Sequence, residues 1–547
     1  MASDTPPDPE THPVVRSILR ISLSAKEYKR LHDYAIQRTP LSVQGRLPSP
    51  SKYEAIIGSK NKHNVAAVRV ALRTFLLSLS LTKLADTAIN RIRGDLSSKG
   101  PKASSSTRSP KLRISASLAL LLLFHRFLYR FFVKLRANLR TDDARPFRDR
   151  NPRISNVLTS RFAPAVGASL AGFALGICPR SQFRIIAAIY SATRGLEFLF
   201  NALDEKGWFD NRPAWFGSWL LMPISCAQLF HSFIFDREAV PSWLGMLILR
   251  LSPSYIRGRP ESLPLDVAWP DKEDVVDSLA TISALRWPSF VSPILHPGTS
   301  KTLPSSLASI SPVTGSAHPA ISSLSCALLH PSSPSCSTAF LHHILLSVPP
   351  LARFLTAATL ALSLRNLKNL ALSLRNLKNL ASHPITSLNE LSQRIMKLTA
   401  VLSASAGTAW ASICLWNAIL PRSTMATKRF FLSGALAGVP FAFLGPQRSV
   451  FLSFFRAAIA TAWKTAGKRG RWTGWKDGEL CVIVASWALM GCILDARPSA
   501  VQGKGVRVAL SWMRGDGLAD PLRVAEKRKA KKAAAQKKEK AEDDART

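Results

Sequence analysis

Acidic side chains are scarce in this chain: 34 Asp and Glu stand against 73 Lys and Arg, a formal charge of +39. The pI is near 10.7. Such an imbalance calls for an anionic partner. The basic residues are spread along the N-terminal arm, the loops beside apolar runs and the tail, a distribution that fits anionic lipid surfaces better than nucleic acid. Cysteine is also sparse, with seven in 547 residues and none before Cys178. Several lie inside apolar runs, so buried free thiols are expected rather than a disulfide framework. No HExxH, GxSxG, Walker loop or dinucleotide fingerprint occurs in a readable strand and helix context. Catalysis therefore has no named residue, and the chain reads as non-enzymatic, with no cofactor. The opening MASDTPPDPETHP has acids and prolines and no apolar core. Membrane insertion is thus expected to use internal signals. The final DDART resembles neither a peroxisomal matrix address nor an ER-retention address.

What the chain does have is long uncharged runs. Ala214 to Phe235 contains no charge, is preceded by Arg212 and is followed by Asp236 and Arg237. A spanning helix needs about 20 apolar residues because backbone polar groups in hydrocarbon must be satisfied within the segment. Pro213, Trp215 and Trp219 sit at one end, where an aromatic belt is expected. Leu398 to Leu420, between Lys397 and Arg422, is a second such run. Ile114 to Val133 is a third candidate, interrupted by His125, Arg126 and Arg130. Further apolar segments are Phe162 to Ile177, Phe183 to Leu203, Val240 to Leu251, Phe430 to Leu444, Val450 to Trp463 and Leu480 to Leu494. Roughly six to eight spans are expected at about 20 residues each. Hydrophobic content is 47% and mean hydropathy only +0.08, because polar arms dilute the apolar segments.

These features divide the chain into a basic polar arm (1–112), a first membrane block (113–264), a Ser/Pro-rich connector (265–345), a second membrane block (346–500) and a basic tail (501–547). Val65 to Leu84 in the arm has an amphipathic pattern, suited to a membrane surface or to packing on another helix. The connector is expected to be mostly exposed and poorly ordered. Leu360 to Asn369 recurs letter for letter at Leu370 to Asn379. At about 100° per residue the second copy is rotated by roughly 80°, so one helix cannot keep its leucines on one face. A recent duplication without required function is the favoured explanation, and a membrane-surface helix is second. Positive-inside counting places both arms in the cytosol, which requires an even number of spans.

The two membrane blocks carry a weak repeat. Leu170, Ala171 and Gly172 recur as Leu436, Ala437 and Gly438, each followed by an apolar stretch, a corner (Pro179 and Arg180; Pro446 and Arg448) and another apolar helix. Each copy then passes a Trp-containing polar turn, enters another span and ends on an aspartate, Asp236 or Asp495. Paired repeats are common in transporters, with sites at the repeat interface. Duplication of a purely structural bundle leaves the same trace.

Candidate intramembrane polar residues are Arg194 and Glu197, at i, i+3 on one helical face, and Gln228 and His231, at the same spacing on the strongest span. The first pair reads as a functional charge pair or as a self-satisfied ion pair. The second reads as interhelical hydrogen-bonding glue, or as a proton relay or ligand contact. Cys326, His330, Cys336, His342 and His343 fall close together, but their spacing matches no finger or ribbon. The Ser/Pro context also argues against a closed tetrahedral metal site, so no metal is expected.

CPRSQFRIIAAIYSATRGLEFLF, from Cys178, and RPAWFGSWLLMPISCAQLFHSFIFDREAVP, from Arg212, resemble a fungal-type member of the transmembrane protein 135 family. The likeness is good over Arg161 to Pro264 and looser over the second block. It implies a multi-pass α-helical protein of peroxisomal and mitochondrial membranes, linked to lipid metabolism and organelle dynamics, and distantly similar to translocase channels of the inner membrane. The animal pattern has a cysteine-rich N-terminal region, which this chain lacks, and no catalytic residue carries over.

The expectation is thus an all-α, multi-pass integral membrane helical bundle with two weakly related blocks and basic tails. Its expected partners are the lipid bilayer, anionic lipids through the basic arms, and a second copy or other organelle membrane proteins. Transport through a two-repeat channel and a membrane-embedded lipid enzyme are the alternatives.

Overall fold

The computed structural model describes residues 13–40, 48–57, 62–94, 110–179, 182–213, 215–259, 268–295, 303–367, 384–470 and 474–544. The second decamer copy, 370–379, and most of the Ser/Pro linker before Lys111 lie outside them. Two compact units form, one from Met1–Asn211 with Trp475–Thr547 and one from Arg212–Gly474. Among the described residues there are helices and no strands, apart from an isolated bridge between Ser289 and Ser323.

In chain order the helices used below are α1 (Pro13–Ser22), α2 (Ala25–Tyr34), α3 (Lys62–Gly94), α4 (Pro110–Asn138), α5 (Ala163–Ser169) and α6 (Gln182–Asp204) in the first unit. The second unit holds α7 (Leu221–Phe235), α8 (Ser242–Arg250), α9 (Lys272–Ala284), α10 (Leu324–Leu329), α11 (Cys336–Leu367), α12 (Pro384–Ile419), α13 (Arg429–Ala437) and α14 (Arg448–Lys468). The chain then returns to the first unit with α15 (Gly478–Ala496), α16 (Lys504–Arg514) and α17 (Pro521–Asp544). Starts are signalled locally: proline, whose missing N–H costs nothing in a first turn, opens α4, α12 and α17. Capping boxes start α2 (Ser24 with Glu27) and α9 (Asp271 with Asp274).

Six helices are long and apolar enough to cross a membrane: His63–Ala88, Pro110–Asn138, Ser218–Phe235, Cys336–Ala361, Leu388–Ile419 and Gly478–Ala496. A seventh span results if the pair Pro152–Thr159 and Ala163–Ile177, bent by 85°, counts as one. The protein is an all-α, multi-pass integral membrane bundle. Three expectations of the sequence need correction. The arm 1–112 contains a helix of spanning length, and α3 packs against α4. The tail after 500 is not wholly free, because α16 packs on α4 and Val501 is buried.

The largest correction concerns the connector 265–345. Val275, Val276, Leu279 and Ile282 of α9, with Leu307, Ile310, Val313, Ala317 and Ile321, are buried in the main core of the second unit. Trp410, Phe230, Phe233 and Phe430 complete that core. Helix α9 carries its four at helical spacing, but the segments after it add theirs from short turns, so no long periodic run announces them among the serines and prolines.

The repeat appears as matching elements. In the first copy α5 runs into a 3₁₀ segment, Leu170–Ile177, then the Pro179 corner, α6 and, after a turn, α7. In the second copy α13 runs into the 3₁₀ segment Val439–Leu444, then the Pro446 corner, α14 and, after a turn, α15. The third helices are exchanged. In the first unit α15 packs on α5, on Leu170–Ile177 and on α6; in the second, α7 packs on α13 and α14. Each unit therefore combines two helices of one copy with the third of the other, which is why its boundaries fall at 211 and 474 rather than at the ends of continuous blocks 113–264 and 346–500.

Candidate functional site

The four polar positions singled out in the spans divide between the units. In the first, Arg194 Nη1 lies 2.6 Å from Glu197 Oε2. The Arg194 guanidinium also sits 5.8 Å from the centre of the Tyr190 ring. Glu197 is buried, at 7% exposure, so the pair is made within α6 and is largely closed to water. In the second unit the Gln228 side-chain amide donates to Ser232 Oγ at 3.0 Å, one turn along the same helix. His231 stacks obliquely on Phe235 at 4.8 Å and meets Phe431 edge-on at 6.4 Å. Gln228 and His231 share a face of α7 but have separate neighbours.

The connector histidines and cysteines behave differently. Cys326 stands on α10, His330 ends that helix, and Cys336 opens α11 after the loop 331–335. The structure joins these three to Cys414 of α12, 84 residues from His330. Cys336 Sγ is 3.4 Å from His330 Nε2, Cys414 Sγ is 3.5 Å from the same nitrogen, and Cys326 Sγ is 3.9 Å from Cys336 Sγ. All four donor atoms lie within 4.8 Å of one another. His330 Nδ1 lies 2.9 Å from the Ser333 carbonyl oxygen, which turns Nε2 toward the sulfurs. Tyr255 lies beside them; its phenol is pushed up by burial and by the neighbouring Cys414 and Cys336. His342 lines an open cavity of about 310 Å³ that it shares with His330, Tyr255, Arg257 and Ser332. His343 is fully buried against Tyr255.

A third feature is an apolar cavity of about 110 Å³ between α7, α8, α12 and α14, lined by Met222, Leu229, Phe230, Leu247, Trp410 and Phe454 among others. No lining residue carries a charge. The two lining hydroxyls are already committed: Ser252 Oγ accepts from Trp410 Nε1 at 2.6 Å, and Ser405 donates to the Ala437 carbonyl at 2.7 Å.

Two buried arginines escaped the sequence reading. Arg184 pairs with Asp477 at 3.2 Å and Glu479 at 3.3 Å, from the turn that opens α15. Arg429, 0% exposed, donates to Asn417 and to the carbonyls of Leu420, Pro421 and Thr424 while lying 5.4 Å from the centre of the Trp287 ring. An arginine at the head of an apolar run, preceded by Lys428 in the case of Arg429, was the available signal. Comparison with protein-family models, curated proteins and solved structures returns no significant match.

Proposed function

We propose that this chain is a non-enzymatic membrane protein of peroxisomal or mitochondrial membranes that holds lipid and so takes part in lipid homeostasis or organelle dynamics. The observation that carries the reading is the cavity bounded by α7, α8, α12 and α14. Its lining is uncharged and both its hydroxyls are spent on internal hydrogen bonds, so an aqueous solute would find nothing to pair with. An apolar chain loses nothing there and gains about 25 cal/mol for each Å² removed from water. Cys226 is a lining nucleophile, but no acid or base lines the cavity beside it, which speaks against lipid hydrolysis at this place. The resemblance at Cys178 and Arg212 supports the choice of organelle, and the basic arms suit anionic headgroups.

Photocrosslinking with a diazirine-bearing acyl lipid in isolated organelles tests the proposal. Labelling should map to residues lining the cavity and fall in Ala406→Phe, which fills it. The alkali-washed membranes carrying the protein should sediment with peroxisomal or mitochondrial markers. Label spread evenly over all apolar helices, unchanged by Ala406→Phe, would sink the lipid site; sedimentation with another membrane would sink the organelle assignment.

A transporter is the second reading, favoured by the exchanged third helices of the two repeat copies. It requires Arg194, Glu197 and His231 to be reached from water. Cysteines placed at these positions would then react with an impermeant maleimide, and uniform inertness would remove the reading.

A further inference from the structure

We infer that Cys326, His330, Cys336 and Cys414 form a tetrahedral site for a zinc-class divalent cation, holding the connector onto α12. The inference is independent of the lipid reading. In a tetrahedron with metal–sulfur bonds of about 2.3 Å and metal–nitrogen bonds of about 2.0–2.1 Å, sulfurs stand roughly 3.8 Å apart and a sulfur stands roughly 3.6 Å from the nitrogen. The separations found are 3.9 Å for Cys326 to Cys336, 3.4 Å for Cys336 to His330 and 3.5 Å for Cys414 to His330. Three soft thiolates and one imidazole are the donors that select zinc over magnesium or calcium, which take oxygen ligands.

The surroundings are those of a ligand set. His330 has its Nδ1 occupied by the Ser333 carbonyl at 2.9 Å, the second hydrogen bond that orients metal-bound histidines and leaves Nε2 free to ligate. His330 and Cys414 are 2% and 4% exposed. The buried Tyr255 hydroxyl finds no hydrogen-bond partner among the described residues. A dication with three thiolates carries a net single negative charge, and Arg257, bonded to Ser332 of the same loop at 2.9 Å, brings a cation to that side. All four positions come from the protein, so the site is closed, of the structural rather than the catalytic kind.

The consequence is mechanical. Residues 331–335, with no regular structure, are the hinge into α11, and α12 lies against both α10 and α11. A metal bonded to all three elements fixes where the connector ends and the span begins, as a cross-link would. A Cys326–Cys336 disulfide would tie the loop to itself and leave both His330 and Cys414 without a role.

The test uses the full-length protein in detergent, isolated without chelator under nitrogen in a phosphine reductant. Elemental analysis should find about one zinc per chain. Zinc should be lost in Cys414→Ser and Cys336→Ser and kept in Cys481→Ser. Because a serine variant that fails to fold also loses zinc, the wild-type protein provides a second reading. After stripping with chelator, added cobalt(II) should produce thiolate-to-cobalt charge-transfer and tetrahedral ligand-field bands, and zinc should erase them. Protein that is helical and monodisperse but contains no zinc and gives no cobalt spectrum would overturn the inference. So would a Cys326–Cys336 disulfide in peptide maps of protein alkylated at lysis and isolated without reductant.

Discussion

Gly438 packs against Pro223 so closely that a β-carbon on the glycine would run into the proline backbone. In the other copy of the repeat Gly172 meets α15 in the same way, but what a β-carbon would approach, at 2.9 Å, is the Val484 side chain. Both glycines permit a third helix to lie directly on the Leu-Ala-Gly turn, the close approach that small residues allow in membrane bundles.

This contrast predicts unequal costs. Gly438→Ala must displace backbone and should lower stability by about 2–3 kcal/mol, whereas Gly172→Ala needs only a methyl group to shift and should cost about 1 kcal/mol. Thermal unfolding in detergent checks the order, and equal midpoints would contradict it.

Arg194 and Glu197 should behave as one unit. Arg194→Ala leaves a buried carboxylate without its partner and should cost about 3 kcal/mol, while Arg194→Ala with Glu197→Ala should recover most of that loss. A double-mutant cycle in the same melt measures the coupling. A pair that merely satisfies itself predicts this pattern with wild-type lipid labelling.

Arg429→Lys should be far from conservative. Lysine has a single ammonium in place of the planar fork that reaches Asn417 and three carbonyls. Buried acceptors left unpaired should cost about 2 kcal/mol. Increased protease cutting between Leu420 and Lys428, at unchanged helicity, is the readout.

Outside the membrane, Arg507 donates to both carboxylate oxygens of Asp520, at 2.8 and 2.9 Å. These hydrogen bonds hold the Asp520 carboxyl below its ordinary range. A depressed folded pKa contributes stability that is fully present above the unfolded value and is lost as pH falls through the folded one. Asp520→Asn should therefore be less stable than wild type at neutral pH, and the difference should shrink as the solution is acidified. Melting midpoints taken across that acid range decide it; a gap independent of pH would refute the assignment.

Much of the membrane architecture could be read from residue order. Ala214 to Phe235 was visible as a span, although helix α7 proper begins only at Leu221, after the 3₁₀ turn Ser218–Leu220. Leu360 to Leu367, read first as part of a duplication without required function, ends α11. The connector was misread although Val275, Val276, Leu279 and Ile282 keep helical spacing, because the apolar residues after them are broken up by serines and prolines into segments too short to show a period. Arg184 and Arg429 were passed over because their partners, Asp477 and Glu479 or the carbonyls after Leu420, cannot be inferred from the arginines' own helices.

Residue order alone determined that this chain is helical and crosses a membrane, since backbone hydrogen bonding in hydrocarbon must be met within each segment and an uncharged run of spanning length has few other solutions. Which helix pairs with which was decided only in three dimensions. The exchange of α7 and α15 between the repeat copies depends on surface fit around Gly438 and Gly172, and the meeting of Cys414 with His330 depends on α12 returning beside α10. Helix formation is a property of neighbours in the chain, whereas packing and ligand geometry belong to neighbours in space, and 84 residues separate these two in the chain.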